Sequence, residues 1–141
     1  MTLTTHLDIV SAEALIFSGP VIQAIVPAEA GEICILARHA PLLTHLRPGL
    51  LRFTTQFDGA HTFFVTTGFL EVQPHSVTVL ADTVLRTRDF DEAAARTAVE
   101  RTRKAIAARP SAVDYERLVT ELKMEMALLR AIDGLRRQTK R

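Results

Sequence analysis

The sequence predicts a mostly β fold with an α appendage, an N-terminal β-sandwich over residues 1–88 followed by a C-terminal antiparallel two-helix hairpin over residues 89–141. Before Arg88, short runs rich in Val, Ile, Leu, Phe and Thr alternate in hydropathy and are broken by Gly and Pro, as strands are. After it, Gly and Pro almost vanish and Ala, Arg and Glu recur with helical spacing, while six of the seven Phe lie behind. At 141 residues and 48% hydrophobic, the chain can bury an ordinary core without disulfides or metals.

Strands are expected at residues 7–10, 21–26, 33–36, 51–57, 61–65, 69–73 and 76–81. In Leu51-Arg52-Phe53-Thr54-Thr55-Gln56-Phe57 the apolar residues fall at odd positions apart from Thr55, and Asp58-Gly59 offers a turn into His61-Thr62-Phe63-Phe64-Val65. Cys34, by alternation, lies on the face opposite Ile33 and Ile35 and is expected to be a small buried filler rather than a nucleophile. The first helix begins where Asp89 precedes Glu92 by three residues, resembling a capping box. Pro110 ends it near Arg109, and Ser111 or Asp114 can cap the second helix.

That second helix carries Tyr115, Leu118, Leu122, Met126, Leu129 and Ile132 at three- and four-residue spacing, a stripe that can lie on a partner. The inner face of the first is poorer: Ala95, Ala98, Val99, Thr102, Ala105 and Ile106. Each buried large aliphatic side chain supplies only about 1.5–3 kcal/mol, so docking of the hairpin is expected to be marginal, and marginal elements can switch.

Residues 1–88 carry 5 basic and 7 acidic groups (−2), and residues 89–141 carry 12 and 9 (+3). Interleaved acids make the basic half a solvated helical face rather than a nucleic-acid surface. No run reaches the roughly 18 apolar residues of a membrane span, and the start lacks a secretory signal, so no direct membrane insertion is expected. Phosphate loops, nucleophile elbows and paired-histidine motifs are absent, and the five histidines are spread through the β half, so no catalytic residue, metal or cofactor is expected.

In order along the chain, His6-Leu7-Asp8-Ile9-Val10-Ser11-Ala12-Glu13, Phe17-Ser18-Gly19, His39-Ala40-Pro41-Leu42-Leu43-Thr44 and Pro48-Gly49 closely resemble the epsilon-subunit family of rotary F-type ATP synthases. Gly68-Phe69-Leu70-Glu71-Val72, Val77-Thr78-Val79-Leu80-Ala81-Asp82-Thr83 and Val113-Asp114-Tyr115 extend the resemblance over nearly the whole chain. It implies a non-catalytic rotor subunit that binds the gamma subunit and the c-subunit ring, peripheral to the cytoplasmic face of a bacterial inner membrane. Glu29, Gly31, Glu32, His39, Ala40 and Pro41 are the implied c-ring contacts. The resemblance also implies a hairpin that reaches the alpha and beta catalytic subunits when extended. There Arg117, Lys123, Arg130, Arg136 and Arg137 would meet acidic surfaces, and Leu118, Leu122 and Leu129 would supply apolar contact.

Two departures stand out. Ala37-Arg38 replaces a Pro-Gly before His39-Ala40-Pro41, and Ile33-Cys34 stands where the family commonly has a second glycine. Some members bind ATP through an arginine near the start of the first helix; here Ala94 occupies that position, so nucleotide binding is expected to be weak or absent. Asp91, Arg101 and Arg130 remain as candidate nucleotide contacts.

Overall fold

The computed structural model describes residues 2–139, so Met1 of the first expected region and Lys140 and Arg141 of the second lie outside it. The chain divides into two compact units, Met1–Arg88 and Asp89–Arg141. The first contains β1 (Thr5–Ser11), β2 (Leu15–Val21), β3 (Gln23–Ala28), β4 (Gly31–Leu36), β5 (Leu42–Leu46), β6 (Gly49–Thr55), β7 (Gly59–Val65), β8 (Gly68–Gln73), β9 (Ser76–Ala81) and β10 (Val84–Arg86). Their order in the sheet is β10-β7-β6-β3-β5-β8-β9-β1-β2, with β4 added to β3.

The path folds over on itself where β3 meets β5 through Ala28 and Leu46, giving a sandwich with a common interior. Alternate residues of both halves fill that interior, among them Leu7 and Ile9 of β1, Val26 of β3, Leu51 and Phe53 of β6, Leu70 and Val72 of β8, and Val77 and Val79 of β9. All pairings are antiparallel except β1 with β9. Gly68 is required where β8 crosses β9, because a Cβ there would lie 1.8 Å from the Leu80 carbonyl oxygen.

Several local expectations are corrected. The expected strand 21–26 is two strands, β2 and β3, separated at Ile22, because the chain leaves one pairing with β1 for another with β4 and β6. The expected strand 51–57 ends at Thr55, leaving Phe57 exposed in a three-residue loop that Thr55 closes: its hydroxyl accepts from the Asp58 N–H (3.0 Å) and donates to the Gly59 carbonyl (3.3 Å). Gly59 has φ +78°, the left-handed conformation such a loop needs. Cys34 does lie opposite Ile33 and Ile35, but it is exposed. Those isoleucines take the inward positions of a strand at the margin of its sheet, so Cys34 faces out and is not a buried filler.

The second unit contains α1 (Glu92–Ala107) and α2 (Ala112–Thr139). Asp91, not Asp89, caps α1, since Asp89 ends a preceding 3₁₀ turn and the Asp91 carboxylate accepts from the Ala94 N–H at 3.0 Å. The helix stops at Ala107, slightly before the expected Arg109, and Arg109 takes φ +54° ahead of Pro110. Ser111 rather than Asp114 caps α2, accepting from the Asp114 N–H (3.3 Å) while donating to the Asp114 carboxylate (3.0 Å). Contacts between Glu92 and Arg136 and between Thr102 and Glu125 share nearly the same residue-number sum, which fixes the helices as antiparallel. Ala95, Val99 and Thr102 are the buried residues of α1, whereas Ala98, Ala105 and Ile106 are half-buried. Of the expected stripe on α2, Leu118 and Ile132 are buried, Leu122, Met126 and Leu129 half-buried, and Tyr115 is exposed because it lies within a turn of the helix start.

Candidate functional site

Registers across one sheet face assemble a surface that the separate strand patterns do not announce. His45 pairs with Phe69, Phe69 with Leu80, Leu80 with Val10 and Val10 with Leu15, so one row crosses β5, β8, β9, β1 and β2. Its members point away from the core: Leu15 is 61% exposed, and Phe69 and Leu80 are each 48% exposed. The His45 ring lies 4.7 Å from that of Phe69. Beside the row, Val10, Phe69 and Leu80 help to line a shallow depression of about 240 Å³ that continues over Ser11, Gly68 and Asp82. A β-bulge between Ile9 and Val10 sets the end of the row, bringing Leu15 opposite Val10. The only local signal was apolar residues at outward positions of strands that already had an apolar inward face.

The six implied c-ring contacts fall into two groups. Glu29 and Gly31 flank the turn that joins β3 to β4, with Glu32 next, and Glu32 pairs with Arg52 at 2.9 Å on an open surface. His39, Ala40 and Pro41 follow the far end of β4, where Arg38 N–H donates to the Pro74 carbonyl and His39 Nδ1 to the Ala40 carbonyl (2.7 Å). Five residue steps of β4 separate the groups, on the order of 15 Å at ~3.3 Å per residue. The structure does not bring them together.

On the hairpin, Arg117 lies near Asp114 and Glu121 of its own helix (3.8 and 4.0 Å), and Arg136 donates across to Glu92 of α1 at 2.7 Å. Lys123, Arg130 and Arg137 are exposed and make no ion pair within 4.0 Å among the described residues. The nucleotide candidates do not converge: Asp91 is used as a helix cap, while Arg130 lines an interhelical groove of about 390 Å³ with Arg96, Arg103, Val99, Met126 and Leu129, in which neither Asp91 nor Arg101 takes part. Glu92 accepts from Arg96 Nε and Nη2 (3.1 and 2.9 Å) as well as from Arg136. The Arg96 hydrogen bonds, helped by the Arg136 charge, hold its carboxyl below the ordinary glutamate range despite some opposing desolvation. No group of three or more potential metal ligands occurs among the described residues, and no described helix is long and apolar enough to cross a membrane.

The sandwich thus carries a solvent-facing row of mostly apolar side chains, and the helical hairpin an exposed charged face. Residues 4–87 match the family of the ATP synthase Delta/Epsilon chain, beta-sandwich domain. Over 138 residues the chain is 49% identical to the ATP synthase epsilon chain of Alkalilimnicola ehrlichii, covering 98% of this chain and 99% of that one. The chain therefore belongs to the ATP synthase epsilon-chain family, whose members are structural subunits of the complex.

Solved structures agree on the fold. A chain of the Euglena gracilis mitochondrial ATP synthase, in an assembly of OSCP, F1 and c-ring in rotational state 1, superposes with TM-score 0.80 at 20% identity, over 92% of this chain and 81% of that one. A chain of the Tetrahymena thermophila mitochondrial ATP synthase central stalk and c-ring gives TM-score 0.58 at 11% identity, over 95% of this chain and 97% of that one.

Proposed function

We propose that the chain is a non-catalytic central-stalk (rotor) subunit of an F-type ATP synthase that helps couple ion translocation to ATP synthesis and inhibits ATP hydrolysis through its hairpin. The row His45-Phe69-Leu80-Val10-Leu15 carries this reading. Phe69, Leu80, Val10 and Leu15 adjoin across four strands as a contiguous apolar band with His45 at its end, and such outward-facing bands mark protein contacts. The gamma subunit is its proposed occupant. Leu80→Asp places a charge in the middle of the band at a half-exposed position, so it should abolish co-purification with gamma while leaving the unfolding midpoint of the isolated chain nearly unchanged. Retained co-purification would remove the band from the interface.

The turn bearing Glu29, Gly31 and Glu32 is the proposed c-ring contact at one end of β4, and His39, Ala40 and Pro41 form a separate candidate contact at the other. Charge reversal at Glu32 and His39→Asp, tested singly, should therefore give different losses of c-ring attachment. The proposed place of the protein is peripheral, at the cytoplasmic face of the bacterial inner membrane.

For regulation, the hairpin takes a closed posture, its helices packed together and folded against the sandwich, and one extended along gamma toward the alpha and beta subunits, where Arg117, Lys123, Arg130, Arg136 and Arg137 meet acidic surfaces and Leu118, Leu122 and Leu129 give apolar contact. The half-buried Leu122 and Leu129 can change partners at modest cost; buried Leu118 must first leave its closed packing. Deleting everything after Arg88 should raise ATP hydrolysis by the assembled enzyme and spare ATP synthesis. Unchanged hydrolysis at both high and low ATP would leave the hairpin a structural role only.

A further inference from the structure

Glu92 stands at the first turn of α1, and Arg136 lies near the end of α2, 44 residues later in the chain. Antiparallel packing makes these two positions neighbours. Glu92 uses one carboxylate oxygen for Arg96, a turn further along its own helix, and the other for Arg136 at 2.7 Å. Both charges suit their helix ends, an anion at the start of α1 and a cation in the last turns of α2. The Glu92 side chain is only 26% exposed, whereas those of Arg136 and Arg96 are 61% and 60% exposed. Among the described residues this is the one ion pair that joins the two helices.

We infer that Glu92 is the clasp of the closed hairpin, and that it acts by occupying Arg136, a cation that the extended posture needs for its partner. This rests on the inhibitory reading above and adds a competition to it: Arg136 stands 2.7 Å from Glu92 only while α2 packs on α1, so a posture in which α2 leaves α1 for an acidic partner surface must give up this pair. Lys123, Arg130 and Arg137, which carry no such pair among the described residues, remain available in either posture. Closing the hairpin withdraws one specific contact, and opening it returns that contact.

The first test uses amide hydrogen exchange in the isolated full chain. Glu92→Gln, Arg136→Gln and the double variant are compared at the last turns of α2. Each single change should speed local opening roughly two- to five-fold, the range expected of an exposed ion pair, and the double variant should open no faster than the singles. Arg136→Gln is the cleaner arm because it leaves the charge at the start of α1 in place. Unchanged exchange in the singles, or effects that add in the double, would overturn the clasp.

The second test measures ATP hydrolysis in the assembled enzyme. Glu92→Gln should lower hydrolysis by a similar factor, because the freed Arg136 favours extension. Arg136→Gln should not, because it removes the partner contact together with the clasp. A coupled effect in exchange with equal hydrolysis in both variants would overturn the competition for Arg136. Failure of the inhibitory reading itself would show separately, as unchanged hydrolysis after deletion of residues 89–141.

Discussion

Thr102→Val tests what pins the two helices in register. Thr102 is 5% exposed, and its hydroxyl lies 2.9 and 3.1 Å from the two carboxylate oxygens of Glu125 on α2. Valine keeps the shape and removes the donor, so packing with Ala95 and Val99 on the same face of α1 persists while the carboxylate loses its partner. A hydrogen bond to a charged acceptor contributes about 1.5–3 kcal/mol, but half-buried Glu125 can regain water, which places the expected loss at about 1–2 kcal/mol. Urea unfolding followed by far-ultraviolet ellipticity at 222 nm reads this loss, because the α-helical signal comes from the hairpin. Combining Thr102→Val with Glu125→Leu replaces both polar partners by apolar groups and should recover most of it. A neutral single variant, or a double variant weaker than the single, would refute the assignment of the hydroxyl–carboxylate pair as a register pin.

Gly68→Ala should cost more than about 3 kcal/mol or prevent folding, since the new Cβ would meet the Leu80 carbonyl oxygen and the Ala81 Cα, backbone atoms that cannot swing aside; thermal unfolding measures it. Arg38→Gly should stabilise the isolated chain by about 0.5–1 kcal/mol, because exposed Arg38 is held at φ +65°, where glycine carries no Cβ penalty; an unchanged denaturation midpoint would count against that strain. Acid should loosen the hairpin through Glu92. Its carboxyl is held below the ordinary glutamate value in the folded chain, chiefly by Arg96 and then by Arg136, so its stabilising effect is complete above that ordinary value and is lost as pH falls through the lowered one. Protection of the α2 amides, taken relative to the intrinsic exchange rate at each pH, should fall in acid across that window, and Glu92→Gln should remove this part of the fall.

Hydropathy period determined the division of this protein by itself, because period-2 runs before Arg88 and helical spacing after it are local properties of the chain. Pro110 likewise dictated the break between the helices, since its ring disfavours helical geometry at the residue before it. The order of short motifs was enough to indicate the family. Register was another matter. Nothing local to Val10, Leu15, Phe69 or Leu80 says that they stand side by side, because strand pairing and the bulge after Ile9 decide which outward positions align. Cys34 shows the same limit: alternation gave its face, but only the sheet margin on which β4 sits decided that this face is open to solvent. Separation of Glu29, Gly31 and Glu32 from His39, Ala40 and Pro41 likewise required knowing that β4 extends over Gly31–Leu36 between them. Glu92 and Arg136 meet because antiparallel packing joins positions 44 residues apart, a contact set by the tertiary fold rather than by the period of either helix.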